Sequence, residues 1–294
     1  MPGAGYNAHV DSERTIGETT FQRVSRARAG VAVYRGAGGY ARVGAPDVVR
    51  ELKARHRAFA AAGFPVASII DEGTQDGEEF YVESSLGPER LGIRFRREWA
   101  AGAIPDGTFD IFMRIVLKTT DAQISAGSLF GHSALAAGIR VDEIRSKQPG
   151  FMQRIRARFD LAQRRLASVP VVACHGDLNP QNLFADGIID VEDAFAGPLG
   201  YDQVSAIYTT ELNPIGMQYE FPAHYRFSAE QIAQYYRVID ERFVAAGAPA
   251  LSAVRRDLEF CRSVWAAHGM EAWPQTRAWR YRHLETFLDD TIAA

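Results

Sequence analysis

One polar segment set between apolar residues constrains the fold of this chain more than any other feature. It runs from Cys174 to Asn182, directly after the apolar residues 171–173, and a second apolar stretch leads to Asp190. An apolar scaffold that presents an aspartate, an asparagine and another aspartate is unfavourable unless these polar groups bind a ligand, usually a cation. The pattern therefore indicates an enzyme that handles a phosphate-bound divalent metal.

The spacing of these residues supports a specific chemistry. Four residues separate Asp177 from Asn182, the interval used where one side chain meets an attacking hydroxyl and the other holds a metal ion. The Asp-Gly pair at 186–187 predicts a two-residue hairpin turn, which pairs residue 185 with residue 188 and sets Leu183 opposite Asp190. An amide oxygen and a carboxylate then converge. Mg²⁺ suits such a pair, since it also takes phosphate and water oxygens.

These residues resemble the catalytic motif of the aminoglycoside phosphotransferase and choline kinase-like superfamily. The resemblance is carried by residues 175–182 and 189–193. Members of that superfamily are small-molecule kinases with a fold similar to protein kinases. The resemblance implies an α+β, bilobal, protein kinase-like fold and an enzyme that phosphorylates an alcohol group.

The resemblance also implies a role for individual residues. Asp177 is the expected catalytic base, and Asn182 and Asp190 are the expected Mg²⁺ ligands. His175 is expected to be a structural brace, and Asp202 resembles a downstream aspartate that is more often structural in the family. The interval between Asn182 and Asp190 is shorter than is usual in the family, and the predicted hairpin tolerates the shortening.

Composition excludes several other classes of protein. The 294 residues can bury one large core or two modest ones, and the chain is 47% hydrophobic and 23% charged, as is ordinary for soluble globular proteins. The net charge of -3 gives no case for a nucleic-acid or membrane partner. The cysteines, Cys174 and Cys261, form no disulfide framework and suit a reducing compartment, so we expect a cytoplasmic protein. Cys174 ends an apolar run, which favours a packed thiol over a nucleophile.

The order of the predicted elements divides the chain. Residues 1–83 predict a small nucleotide-binding lobe, an antiparallel sheet with one helix, after a loose leader at 1–17. Residues 84–88 predict a hinge or linker. Residues 89–294 predict a larger, mainly helical lobe that holds the catalytic loop, the metal site and the acceptor site. The strands expected in the first lobe are 19–24, 31–34, 40–43, 66–70 and 79–82, with a helix at 46–62 and an Asp76-Gly77 turn between the last two strands.

Helices dominate the predictions for the second lobe. Amphipathic periods predict helices at 108–125, 151–166, 251–265 and 276–288. Ser228 and Gln231 have the spacing of a capping box, which predicts that a further helix begins there.

Two turns of the first lobe are candidates for phosphate binding. Ser25, Arg26 and the residues up to Gly30 lie where the superfamily has its nucleotide loop, and turn amides with arginines can cradle phosphate oxygens. An ordinary solvated hairpin is an equally good interpretation of this loop. The glycine-rich residues 36–39 favour a plain hairpin turn.

The remaining nucleotide contacts follow from the resemblance. Arg42 stands on the third predicted strand, where the family usually has a lysine for the α- and β-phosphates, and Glu51 on the following helix is its expected partner. Lys53 is expected at the surface. Residues 80–85 resemble the family hinge, so Glu83 and Ser85 are expected to contact the purine of ATP or GTP through the backbone.

Three functional hypotheses remain open. The leading one is Mg²⁺-dependent transfer of the γ-phosphoryl group to a hydroxyl of a small molecule such as an aminoglycoside, amino alcohol, sugar or nucleoside. The second is a nucleotide-binding pseudokinase with little turnover, suggested by Arg42 and opposed by the intact set of Asp177, Asn182 and Asp190. The third is a metal-dependent hydrolase that uses His175.

Aromatic and acidic residues after Asp202 could bind a cationic or sugar-like acceptor. Core packing is the competing interpretation for most of the aromatic ones. The candidates are Tyr219, Phe221, Tyr225, Phe227, Tyr235, Tyr236, Trp265, Trp273, Trp279, Glu211, Glu220 and Glu271.

Overall fold

A computed structural model describes residues 13–24, 30–129, 135–142, 149–213, 223–267 and 273–288, with side chains omitted at 149–152. The chain divides into two units. The first unit comprises Met1–Ala60 and Val66–Leu86, and the second comprises Ala61–Pro65 and Gly87–Ala294.

The first unit is a six-stranded antiparallel sheet with one helix. The strand order is β1-β2-β3-β4-β6-β5, and helix α1 lies between β4 and β5 in the chain. The elements are β1 Glu13–Ile16, β2 Thr19–Arg23, β3 Val31–Gly36, β4 Gly39–Gly44, α1 Pro46–Ala61, β5 Ile69–Gln75 and β6 Glu78–Ser84.

Successive side chains of β6 lie on opposite faces of the sheet, and each face carries its own hydrophobic core. Phe80 and Val82 pack with residues of β1–β4 on one face of the sheet. Tyr81, on the other face, packs with Val49 of α1. Because side chains two residues apart share a face, α1 covers the face that carries Tyr81, and Glu83 lies on that face too.

Two strand predictions in the first unit need correction. Residues 13–16, assigned to the loose leader, form β1, which pairs with β2 through Arg14–Phe21 and its neighbours. The strand expected at 66–70 begins at Ile69 and runs to Gln75, with an irregularity in its pairing between Ile69 and Asp71. Polar side chains on these edge strands weakened the apolar alternation on which the predictions relied.

The two glycine-containing turns are confirmed. Gly36 pairs with Gly39, which leaves a two-residue hairpin turn at 37–38. Gln75 pairs with Glu78 around Asp76 and Gly77, whose φ angles are 54° and 81°. Positive φ at both central positions defines the type I′ turn that Asp-Gly favours.

The second unit is mainly helical. Its elements are α2 Leu91–Ala100, α3 Asp106–Ala126, α4 Leu135–Gly138, α5 Pro149–Arg165, β7 Val171–Cys174, β8 Phe195–Pro198, α6 Tyr201–Leu212, α7 Ala229–Ala245, α8 Leu251–Ala267 and α9 Pro274–Glu285. The predicted helices correspond to α3, α5, α7, α8 and α9. Helix α6 was missed because it is buried on nearly every side and so has no amphipathic period. Among the described residues no helix is both long and apolar enough to cross a membrane.

An aromatic cluster forms part of the core of the second unit. Phe95 and Phe112 contact Phe227 edge-on and stacked, with ring centroids 5.3 and 5.4 Å apart respectively. Tyr235 stacks on Phe112 at 5.7 Å and is fully buried. Tyr225, Phe227 and Tyr235 are therefore core residues, as the competing interpretation of the aromatic candidates held. Tyr219, Phe221, Glu220 and Glu271 lie outside the described residues.

The predicted capping box at the start of α7 is confirmed. Gln231 N donates to Ser228 Oγ at 3.2 Å, and Ser228 N donates to Gln231 Oε1 at 3.1 Å.

We expect Ser228→Ala to lower the free energy of unfolding by about 1 kcal/mol, the usual value of such a cap. Urea denaturation followed by circular dichroism measures this. Ser252→Ala, which removes an exposed hydroxyl from α8, is the control, and equal midpoints for the two variants would contradict the assignment.

Candidate active site

A two-stranded sheet closes the base of the polar loop. Strands β7 and β8 pair antiparallel, with Cys174 opposite Phe195, so that residues 175–194 form the loop between them. Gly176 has φ of 87°, and a Cβ there would lie 2.1 Å from Asp193 O. Both the left-handed backbone and the close approach require glycine at this position.

Cys174 is a packed thiol, as predicted. The residue is fully buried and its Sγ lies 3.7 Å from Pro198 O. Burial raises the pKa of the Cys174 thiol well above its ordinary value, and a protonated thiol is a poor nucleophile.

His175 connects the two halves of the loop. Its Nδ1 lies 3.3 Å from Asp177 N, which can only donate, and its Nε2 lies 2.7 Å from Ile189 O, which can only accept. The ring therefore carries a proton on Nε2 and accepts through Nδ1. This arrangement ties residue 177 to the residue before Asp190, and it is the geometry that a structural brace requires.

Asp202, on the first turn of α6, bonds the backbone at the start of the loop. It is fully buried and accepts hydrogen bonds from His175 N at 2.6 Å, Gly176 N at 3.1 Å and Gln123 Nε2 at 2.7 Å. Burial raises the pKa of the Asp202 carboxyl above its ordinary value, and these donors oppose the rise. Both oxygens are engaged within the protein, which fits a structural role.

Asn182 contacts Asp177 directly. Its Nδ2 donates to Asp177 O at 2.9 Å and to Asp177 Oδ2 at 3.2 Å. Two acceptors on one side fix which end of the amide is nitrogen, and the amide oxygen is therefore directed to the other side. That oxygen is the atom with which Asn182 could hold a cation.

The hairpin that returns to Asp190 differs in register from the prediction. Leu183 pairs with Ile188, and Phe184 N donates to Gly187 O at 2.8 Å, so the two turn residues are 185–186 instead of 186–187. Ile189 N donates to Asn182 O at 3.0 Å. Asp190 follows directly, so it still lies next to the residue paired with Asn182. The predicted register was therefore wrong, since Leu183 lies opposite Ile188 and not Asp190, whereas a two-residue turn is present one residue earlier.

Asp190 itself has an unusual backbone. Its φ and ψ are 70° and 54°, in the left-handed region that residues with a Cβ rarely adopt. Such strain persists only where surrounding contacts impose it, and it is concentrated at functional sites. Here the hydrogen bonds of Ile189 to Asn182 and His175 hold the residue just before it.

Arg262 of α8 is a component of the site that was not predicted. Its Nη2 lies 2.5 Å from Asp177 Oδ1, and its Nη1 donates to Gly176 O at 3.2 Å. Burial by itself lowers the pKa of the Arg262 guanidinium, but the Asp177 carboxylate more than offsets this, and the pKa is raised. The only sequence signal was an arginine set between the apolar residues of 258–261 and Val264.

The first unit contains a buried cluster around Arg42, with partners other than those predicted. Arg42 Nε lies 3.2 Å from Glu83 Oε1, and both side chains are almost fully buried. The expected partner, Glu51, is exposed and forms an ion pair with Arg55 at 2.9 Å. The predicted Arg42–Glu51 pair is therefore wrong. Arg42 lies opposite Tyr81 in the β4–β6 register, which makes Glu83 its diagonal neighbour on the same face.

His56 completes this cluster from helix α1. Its Nδ1 lies 3.2 Å from Glu83 Oε1 and its Nε2 lies 2.6 Å from Ala67 O. Both neighbours are acceptors, a geometry that matches a ring donating from both nitrogens. Burial tends to raise the pKa of the Glu83 carboxyl, but Arg42 and His56 outweigh it, and the net pKa is lowered.

The other predicted nucleotide contacts are placed as follows. Lys53 is not a surface residue, because its side chain is 13% exposed and its Nζ lies 2.7 Å from Glu79 and 2.8 Å from Glu72. Ser85 N donates to Gly38 O at 3.3 Å. Ser25 and Arg26 lie outside the described residues.

Acidic side chains beside Asp190 have separate roles. Asp193, the last residue of the short helical turn at 191–193, forms an ion pair with Arg140 at 2.6 Å. Within the described ranges, no group of three or more His, Cys, Asp or Glu side chains is arranged to hold a metal.

Solved structures share this fold. A choline/ethanolamine kinase family protein from Mesorhizobium loti aligns with a TM-score of 0.55 and 15% identity, over 92% of this chain and 88% of that chain. LicA in complex with AMP aligns with a TM-score of 0.55 and 13% identity, over 96% and 94%. An aminoglycoside-3'-phosphotransferase of type VIII aligns with a TM-score of 0.52 and 18% identity, over 86% and 95%. The predicted α+β kinase-like fold is confirmed.

The model of the phosphotransferase enzyme family, APH, matches residues 35–235. The chain belongs to this family, and the expectation of an enzyme of the small-molecule kinase class is confirmed. Comparison with curated protein sequences gives no significant match.

The Glu83 cluster generates a pH-dependent prediction. Because the pKa of Glu83 is lowered in the folded protein, its carboxylate stabilises the fold above the ordinary glutamate pKa, and this contribution is lost as pH falls through the lowered value. We expect Glu83→Gln to cost about 3 kcal/mol at pH 7, since it leaves the buried Arg42 guanidinium without its partner carboxylate. The cost should shrink below about pH 4.

Thermal unfolding at several pH values measures this difference. Glu51→Gln is the matched control in the same unit, because the exposed Glu51 pairs only at the surface and should change stability by less than about 0.5 kcal/mol. If Glu51→Gln were the more damaging variant, the original Arg42–Glu51 pairing would be restored.

Proposed function

We propose that this protein transfers the γ-phosphoryl group of ATP or GTP to a hydroxyl of a small molecule in a Mg²⁺-dependent reaction. The observation that carries the proposal is the convergence of Asp177, Asn182 and Asp190 on one braced loop. Asn182 bonds Asp177 through Nδ2 and pairs with the residue before Asp190 through its backbone oxygen. A carboxylate for the hydroxyl and two oxygen ligands for a metal are the parts that phosphoryl transfer needs.

Asp177 receives or orients the proton of the acceptor hydroxyl. Its side chain is 23% exposed, whereas the surrounding His175, Asn182 and Arg262 are buried. The carboxylate is therefore accessible to a small molecule, but its contacts hold it in one orientation. Fixed orientation of the reacting groups is the main catalytic resource in phosphoryl transfer.

Asn182 and Asp190 would hold Mg²⁺. The fit rests on their chemistry, because an amide oxygen and a carboxylate are hard ligands of the kind that Mg²⁺ takes, with phosphate oxygens and water as the others. When bound, Mg²⁺ neutralises negative charge on the phosphates. His175 and Asp202 set the backbone on which these ligands stand.

In the first unit, Arg42 is proposed to contact the phosphates of the nucleotide. Glu83 accepts a hydrogen bond from Arg42 Nε and so fixes the plane of the guanidinium, a group whose planar fork of donors matches phosphate geometry. The backbone of Glu83 and Ser85 is proposed to contact the purine, as in the family hinge. The loop that contains Ser25 and Arg26 is a further candidate for phosphate binding, and a cytoplasmic location remains part of the proposal.

The acceptor is proposed to be a cationic or sugar-like alcohol, such as an aminoglycoside or an amino alcohol. Support comes from the names of the similar structures, a choline/ethanolamine kinase family protein and an aminoglycoside-3'-phosphotransferase.

Asp177→Asn tests the proposed base. We expect turnover to fall by about 10²–10⁴-fold, the range for a positioned acid–base group. The assay measures ADP or GDP release with Mg²⁺ and a panel of aminoglycosides, amino alcohols, sugars and nucleosides. Asp186→Asn, an exposed aspartate on the same hairpin, should leave turnover unchanged. Near-normal turnover of Asp177→Asn would remove Asp177 from the mechanism, and Mg²⁺–ATP binding with no turnover on any acceptor would favour the pseudokinase.

Asn182→Ala and Asp190→Asn test the proposed metal ligands. Each should raise the Mg²⁺ concentration for half-maximal turnover by at least about tenfold, the lower end of what loss of a supporting residue costs a metal site. Asp193→Asn is the control, because Asp193 pairs with Arg140 and should leave the Mg²⁺ requirement unchanged. A greater effect of Asp193→Asn than of Asp190→Asn would reassign the ligand.

A further inference from the structure

The ion pair between Arg262 and Asp177 assigns Arg262 a role that the loop motif does not contain. We propose that Arg262 is a positioning residue, which holds one oxygen of the Asp177 carboxylate so that the other faces the acceptor hydroxyl. This inference rests on the proposed function, since it concerns the same carboxylate. Arg262 acts through Asp177 and does not itself contact the reacting atoms.

The contacts of Asp177 give its two oxygens different environments. Oδ1 lies 2.5 Å from Arg262 Nη2, whereas Oδ2 accepts a longer hydrogen bond, 3.2 Å, from Asn182 Nδ2. Both bonds reach the same ionised carboxylate, but only the bond from Arg262 has a charged donor as well, and it is the shorter of the two. The carboxylate is therefore held chiefly through Oδ1, and rotation about the Cβ–Cγ bond is restricted. Oδ2 is the oxygen for the acceptor.

Arg262 is itself held in place by its surroundings. The side chain is 4% exposed, its Nη1 donates to Gly176 O at 3.2 Å, and its guanidinium lies over the Trp265 ring at 4.0 Å. It stands on helix α8, which packs against α6, the helix that carries Asp202. Asp177 is thus fixed from its own loop by Asn182 and from a separate helix by Arg262.

A structural role alone would not require this particular pairing. A buried ion pair is weak evidence for stability, because desolvation of the charges offsets most of their attraction. Arg280 illustrates the structural alternative, since it is equally buried but donates to the carbonyl oxygens of Ala266 and Leu212. Arg262 instead places its charge against the carboxylate of Asp177, whose side chain is 23% exposed. This contrast favours a role in positioning Asp177.

A double-mutant cycle tests the proposal. We expect Arg262→Met to lower kcat by about 10²-fold, the cost of a small misplacement of a reacting group, while KM for the nucleotide and the acceptor changes less than about threefold. In an Asp177→Asn background the same substitution should change kcat less than about twofold, because its target is absent. Arg262→Lys should recover part of kcat, since an ammonium restores the charge without the fork.

Arg280→Met is the matched control, expected to lower the unfolding temperature and leave kcat near that of the wild type. A full kcat in Arg262→Met, or an equal loss in both backgrounds, overturns the proposal. If Arg262→Met does not fold, a folded Arg262→Lys with unchanged kcat overturns it, and one with lowered kcat and unchanged KM supports it. Full turnover in Asp177→Asn alone would instead contradict the proposed function.

Discussion

A single buried carboxylate holds the loop on which the proposed chemistry depends. Asp202 accepts hydrogen bonds from the first two backbone amides of the loop, His175 N and Gly176 N, and from the side chain of Gln123. The His175 side chain then bonds Asp177 N and Ile189 O. Asp202 of α6 therefore holds, through His175, the two segments that carry Asp177 and Asp190. A buried carboxylate satisfied by several donors is costly to disturb. The positions of Asp177, Asn182 and Asp190 follow from it.

The two units fix their polar groups by different means. In the second unit, a loop between two short strands is held mainly by hydrogen bonds from side chains to its backbone, and Arg262 adds one charge from a distant helix. In the first unit, the sheet register brings Arg42 and Glu83 together, and His56 reaches the same carboxylate from α1. Arg42 thus has a buried partner that comes from a strand, Glu83 of β6. Glu83 therefore pairs with Arg42 in place of Glu51, the partner that was expected from helix α1.

Local features of the structure were predictable from the sequence, and long-range ones were not. The Asp76-Gly77 turn and the Ser228 capping box depend on neighbouring residues alone, and the spacing of Asp177 and Asn182 is visible in one segment. The hairpin turn at 185–186 was predicted one residue too late, because an Asp-Gly pair favours a turn without fixing the register of the flanking strands. Arg262 lies 85 residues beyond Asp177, and only the packing of α8 brings it there. Arg42 pairs with Glu83 and not with Glu51 because of the β4–β6 register, which could not be predicted from the sequence.

The central claim is that Asn182 and Asp190 share one cation with a nucleoside triphosphate beside Asp177. A crystal structure of the protein with Mn²⁺ and a non-hydrolysable ATP analogue tests it most directly, because Mn²⁺ gives an anomalous signal. The account predicts one anomalous peak about 2 Å from both the Asn182 amide oxygen and an Asp190 carboxylate oxygen, and in contact with phosphate oxygens. A bound nucleotide with the metal away from both side chains, or with Asn182 still turned by its nitrogen toward the metal, would contradict the account.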